Sequence, residues 1–378
     1  MIKALVALAA LGLAAHWAHR CSADELPLRW EIPTPGLLPQ AVAIDQRDSK
    51  FLYVAVKTGG ISIFSNSSDQ PQKIAEIPKQ LLGAMDAMNL FLQEDLLFVA
   101  LGDFFPAQNH AGLAIINIRV PSRPVVLSVW KSPQKLKGSA VVVANETKAF
   151  LGGMHHGVLT FDIRNKSQVR HVSTFQPDIH FPNRNPNKIQ RPNARGMALR
   201  GKLLYVTYDA GGLRILNVSG DSPSEIGRYI NPAMAGKQQA YNNILLDGRR
   251  AFIGIDYAGL EIVDISNPRK IKQIGWWNPW QAGTLKNLWV NSPGHGNQVG
   301  FDPAKQHVYL SAGDSELQVI DVSKSSDPQL SHWYGKPKNG QGVWGVAVDS
   351  DTAYLTYIKA IVPFRGNWSG IRAVDIEQ

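Results

Sequence analysis

One cysteine is present in the whole chain, Cys21, close to its start. Beyond that point no thiol exists, so no disulfide can staple the body and packing alone must hold it. The same absence removes thiol nucleophiles and thiolate metal sites. No run reaches the ~20 apolar residues needed to cross a bilayer as a helix. No glycine-rich phosphate loop, no Ser-His-Asp pattern and no HExxH segment is visible. Several enzyme classes lose their usual signature on these grounds.

The first residues read as an export leader. Lys3 supplies the charge, Ala4 to Ala15 is an apolar run of twelve, and Cys21-Ser22-Ala23 offers small residues at a cleavage site. Residues 1–23 are therefore expected to be a signal peptide, and residues 24–378 to form one domain. The expected location is outside the cytoplasm: periplasm, cell surface or medium. Without Lys3 and Arg20 the chain has 37 basic and 30 acidic residues, a net +7. That balance favours anionic partners. A protein or an anionic glycan fits best, a membrane surface is also open to it, and nucleic acid is disfavoured outside the cytoplasm.

Seven short segments repeat one pattern: Gly60–Phe64, Gly112–Ile118, Gly157–Ile163, Gly212–Val218, Gly259–Ile265, Glu316–Val322 and Gly370–Ile376. Their first residues lie 52, 45, 55, 47, 57 and 54 apart. A period near 50 built from β-forming residues predicts radially arranged sheets, each too small to cover its own faces. The expected fold is all-β, a seven-bladed β-propeller with four antiparallel strands per blade. In the fifth unit the strands are expected at 241–247, 250–255, 260–265 and 270–276. Leu260 and Ile262 should face one neighbouring blade, Val263 and Ile265 the other, because blades are buried on both sides. The aspartate and serine after the third strand, as at Asp264–Ser266, read as turn chemistry rather than catalysis.

The fourth strands end with an aromatic three residues before a proline, as at Trp130, Tyr229, Trp276 and Tyr334. The seventh unit stops at its third strand, yet Trp30 and Pro33 carry the same spacing near the other end. Residues 27–32 are therefore expected to supply the outer strand of the last blade. Such closure also protects an edge.

The phrase Gly259-Leu-Glu-Ile-Val-Asp-Ile-Ser-Asn-Pro resembles the repeat of the LVIVD family of β-propellers, and Leu213–Val218 and Leu317–Val322 are close copies. The resemblance implies a propeller that is exported or surface-associated. It carries no catalytic motif. Glu316 departs from the pattern, standing where the other units have glycine.

Long loops on a rigid scaffold are where function concentrates, and nearly all of them fall on one end of the expected ring. Residues 177–194 hold His180, Arg184, Lys188 and Arg191, with Arg195 following. Residues 277–296 hold Trp277, Trp280, Lys286, Trp289 and His295. Shorter insertions bring Asp103, Phe104, Phe105 and His110, and Phe364, Arg365 and Trp368. Aromatics beside cations suit sugars, anions or a protein partner. Residues opening each first strand should ring the channel: Gln40, Asp86, Ser139, Arg195, Asn242, Gln298 and Trp344. Lys57, Met154, Asp209 and Asp256 should join them, with Asp103 and Asp314 close by.

The expected ligand-binding residues are thus Arg191, Arg195, Asp103, Asp209, Asp256, His155, His156, His295 and Trp344. No cofactor is expected from any motif. A metal ion in the central channel would fall to His155, His156 and His295. Adjacent histidines in an extended segment point oppositely, so only one should reach the channel. The leading expectation is a non-catalytic binding module. Alternatives are a hydrolase or lyase using Asp209 and Asp256 with Arg195 as anion clamp, and a metal-dependent oxidoreductase.

Overall fold

The computed structural model describes residues 23–66, 70–106, 108–182, 191–237, 239–284, 294–361 and 364–377. The expected leader, apart from Ala23, lies outside these residues, as do Arg184, Lys188, Lys286 and Trp289.

Seven sheets stand around a central axis, and the first strand of each contacts the first strands of its two neighbours, closing a ring. Blade five shows the plan. Its strands are Tyr241–Asp247, Arg250–Ile255, Gly259–Asp264 and Lys272–Trp277, paired antiparallel in sequence order. Leu260, Ile262, Val263 and Ile265 are all buried. Val263 and Ile265 pack with Leu213 and Ile215 of blade four. Leu260 and Ile262 pack with Val308, Leu310 and Ile320 of blade six. A strand buried on both faces removes about 1.5–3 kcal/mol worth of surface per large aliphatic side chain from water.

The repeating glycine has a steric cause. At Gly259 φ is +71° and the carbonyl oxygen of Trp277 lies 2.2 Å from where a Cβ would sit. The third strand starts there, beside the end of the fourth, with no room for a side chain. Glu316 occupies this place in blade six at φ 51°. Its carboxylate is buried and accepts hydrogen bonds from Asn339 Nδ2 at 2.6 Å and Tyr357 OH at 2.5 Å, with Arg372 Nη1 of blade seven at 3.4 Å.

The turn reading of the post-strand aspartates holds. Asp264, Asp321, Asn217 and Asp162 each accept the backbone N–H two residues on through Oδ1, at 2.8–3.1 Å. These are Asx turns, and they consume the side chains structurally.

Closure follows the Trp30–Pro33 spacing. Leu28–Pro33 pairs antiparallel with Gly370–Asp375 and completes blade seven, one residue later than the expected 27–32. Asp24–Glu25 adds something the repeat pattern does not announce: it pairs in parallel with His332 and Trp333, the outer strand of blade six. The leading segment therefore grips two blades.

Candidate functional site

The loops joining second to third strands share one end of the ring with the links between blades. At four of these loops a residue with left-handed backbone forms a bridge to the next blade. They are Lys57 to Ala87, Met154 to Ala194, Asp209 to Tyr241 and Gly313 to Val343, with φ of 52°, 55°, 41° and 59°. This conformation is costly for side chains other than glycine, asparagine and aspartate, and such backbone concentrates at functional regions.

At this end the channel opens into a cup of about 340 Å³. Its lining includes Arg191, Arg195, Asp209, Asp256, His155, His295 and Trp344 from the expected set, together with Phe104, Phe105, Lys137, Met154, Asn193, Ala240 and Asn242. Two expected residues stand outside it. Asp103 is tied to Lys57 Nζ at 2.8 Å and accepts the Phe105 backbone N–H. His156 sits beside His155 with ring centroids 4.1 Å apart, so the pair does not splay to opposite sides. The segment is a turn rather than a strand, which removes the alternation on which that expectation rested.

One side of the cup is apolar: Phe104, Met154 and Trp344 line it and belong to a buried cluster with Met88, Ile358 and Phe364, gathered from blades two, three and seven. Phe104 stacks on Phe105 at 4.8 Å and faces Trp344 at 6.4 Å. Phe104 and Trp344, with Arg195 and Asn242, also line a second space of only about 30 Å³, whose other walls include Asn89, Asn243, Asn297 and Gln298. Part of the polar ring expected from the first strands thus lines this narrow space next to the cup.

Two carboxylates sit low in the cup, and both are buried rather than solvated as loop aspartates usually are. Asp209 accepts a hydrogen bond from Asn193 Nδ2 at 2.5 Å and lies 3.8 Å from Arg195 Nε. Burial outweighs both and pushes its carboxyl up to about 6. Asp256 accepts from Asn242 Nδ2 at 2.6 Å and approaches His295 Nδ1 at 3.0 Å. The cationic wall stands on the blade three and four side. Arg195 lies over the Phe104 ring at 4.6 Å. Burial lowers the His155 imidazole to about 4, with His156, Arg191 and Lys137 adding repulsion, so it is neutral near pH 7. Lys137 and Arg191 are held in no ion pair among the described residues.

His155 and His295 face the same cup, but no group of three or more His, Cys, Asp or Glu able to hold a metal occurs among the described residues. Lys137 and Asn193 are lining residues that sequence reasoning missed. A signal for Lys137 existed: it stands four residues before a first strand, Val141–Ala144, as His295 stands four before Val299–Asp302.

The LVIVD repeat family model matches residues 193–231, 241–275 and 306–335. Three of the chain's seven blades carry LVIVD repeats, on a β-propeller fold. The matches fall on blades four, five and six, where the quoted copies lie. No curated protein matches this LVIVD-repeat chain significantly. Among solved structures, the RRP9 WD40 repeats superpose with a TM-score of 0.66 at 11% identity, over 94% of this chain and 99% of that one. A chain of the mitotic checkpoint complex gives 0.65 at 10%, over 95% and 94%. The β-propeller domain of Myceliophteria thermophila Cps50 (Swd1) gives 0.64 at 10%, over 93% and 99%. At such identities the likeness concerns the fold alone.

Proposed function

We propose that this LVIVD-repeat propeller is an exported, non-catalytic binding module whose elaborated face takes an anionic glycan. The observation that carries the reading is the cup, with Lys137, Arg191 and Arg195 on one wall and Phe105 and Trp344 on another. Aromatic faces receive the apolar side of a sugar ring, and Lys137 and Arg191, in no ion pair among the described residues, receive its acid group. The N-terminal leader pattern and the net basic charge support the same reading.

Titration calorimetry of the purified protein with acidic and neutral oligosaccharides at low salt tests it. Acidic chains should bind, neutral chains of equal length should bind at least tenfold more weakly, and added salt should weaken the acidic ones. Arg191→Ala should cut acidic binding at least fivefold while leaving the melting temperature unchanged. Equal binding of neutral and acidic chains, or capture of a protein partner on this face with no glycan binding, would sink the reading.

A second reading is favoured by one observation. The His295 to Asp256 contact, with Asp209 raised to about 6 nearby, suits acid–base chemistry in an extracytoplasmic hydrolase or lyase. Release of shorter sugars or of unsaturated ends during incubation, abolished by Asp209→Asn, distinguishes it from simple binding.

A further inference from the structure

We infer that the cup recognises the end of a glycan and not its interior: it is a subsite for one terminal uronic-acid unit, a sugar ring bearing a carboxylate. The inference rests on the anionic-glycan reading and adds what is read and from which direction.

Direction follows from the narrowing of the channel. A polymer bound along a groove needs two ways out, and a chain threaded through a channel needs a bore wide enough for a sugar ring. Beyond Phe104, Arg195, Asn242 and Trp344, which line both spaces, only about 30 Å³ is left, room for roughly one water. Anything that reaches the floor must therefore enter and leave by the same mouth, which a chain does only with its last residue.

Size sets the depth. A cavity of about 340 Å³ equals the liquid share of about eleven waters. That is the scale of one pyranose ring with its substituents, at the small end of ligand pockets.

Chemistry sets the unit. Lys137 and Arg191 have no carboxylate partner among the described residues and lie on the blade three and four side with Arg195. They offer a place for one acid group. Across the floor each carboxylate keeps one oxygen without a hydrogen-bond donor among the described residues. Asn193 bonds Oδ2 of Asp209 and leaves Oδ1 with only the Arg195 Nε ion pair at 3.8 Å, too long for a hydrogen bond, while Asn242 bonds Oδ1 of Asp256 and leaves Oδ2. These two acceptors in a low-dielectric site can take donors, and ring hydroxyls supply them. Phe105, which is exposed and stands 5.7 Å from Trp344, gives the ring a face to rest on. A simple carboxylate would satisfy the wall and leave the floor unmet. A neutral hexose would do the reverse.

The test uses free glucuronic and galacturonic acids, glucose, acetate and a length series of acidic oligosaccharides on the purified full chain. A free uronic acid should bind one per protein, within about tenfold of the oligosaccharide, and displace it. Glucose and acetate should each bind at least tenfold more weakly. Affinity per chain should stay flat as length grows. Lys137→Ala and Phe105→Leu, the second keeping an apolar side chain against Phe104 and Trp344, should each weaken the monosaccharide at least fivefold with an unchanged melting temperature. Affinity that climbs with chain length while free uronic acids fail to compete would overturn the inference and leave the glycan reading standing. Uronic acid binding indifferent to both variants would overturn the placement in the cup. No binding of any acidic sugar would bring down both.

Discussion

Two seams of the ring bury a glutamate, and they stabilise it by different means. Between blades four and five, Glu261 receives hydroxyls from Tyr229 at 2.7 Å and Tyr241 at 2.9 Å and the amide of Gln273 at 2.8 Å. No cation pairs with it among the described residues, and burial pushes its carboxyl up to about 7. Between blades six and seven, Glu316 is equally buried but lies 3.4 Å from Arg372. That guanidinium also stacks on Trp368 at 4.5 Å and Tyr357 at 4.7 Å and pairs with Glu31 of the closing strand. The interior of a propeller seam tolerates a carboxylate in two ways: by keeping a proton close, or by bringing in an arginine. The first makes a seam that responds to pH and the second a seam that depends on one partner.

Removing the partner should have the largest effect. Arg372→Met leaves Glu316 as an uncompensated buried charge, and urea unfolding at pH 8 should show a loss of about 3–5 kcal/mol. A loss below about 1 kcal/mol would mean that the hydroxyl and amide donors suffice there too, and the contrast would dissolve.

Neutralising the other seam comes next, with the opposite sign. The native carboxyl of Glu261 at about 7 lies above its ordinary value of 4.5, so the folded state holds the proton more tightly than the unfolded one. Its contribution is fully present below pH 4.5 and is lost as pH rises through 7. Two to three pH units correspond to on the order of 3 kcal/mol. Glu261→Gln should therefore match the wild type near pH 4, exceed it by up to that amount at pH 8, and flatten the dependence between. Parallel stability curves for the two proteins across pH 4–8 would contradict the assignment.

Tyr229→Phe should give the smallest change. It removes one donor from Glu261 and should cost about 2 kcal/mol at pH 8, where the acceptor is charged, and about 1 kcal/mol at pH 5, where it is neutral. A pH-independent loss would show that the ring packing of Tyr229, not its hydroxyl, sets its worth.

Much of the architecture was legible in the sequence because it is periodic. A glycine at six of the seven third strands, Asx turns after them and an aromatic three residues before a proline mark the blades, and Trp30 with Pro33 reveals how the circle shuts. What could not be read depends on residues far apart in the chain. Glu261 sits between Leu260 and Ile262 like any outward polar residue, and only Tyr229 and Tyr241 from elsewhere show that it faces a neighbouring blade. Glu316 looks like a lapse in a glycine pattern until Arg372 is seen beside it. The cup was partly legible, since seven of the nine expected residues line it. Its apolar side was not, because Met88, Phe104, Met154, Trp344 and Phe364 come from three blades. No local pattern says that their side chains pack together.

The double grip of residues 24–33 has a temporal side. Arg29 bonds Asp375, 346 positions away, and Trp30 pairs with Ala373. Leu28–Pro33 must stay without its mate in blade seven until Gly370–Asp375 has been made. Bringing such distant points together is slow and entropically expensive, although the expense grows only with the logarithm of the intervening length. The blade of Gly370–Asp375 is completed only by the distant Leu28–Pro33, and until the two meet the outer edge of its sheet is open to any stray strand.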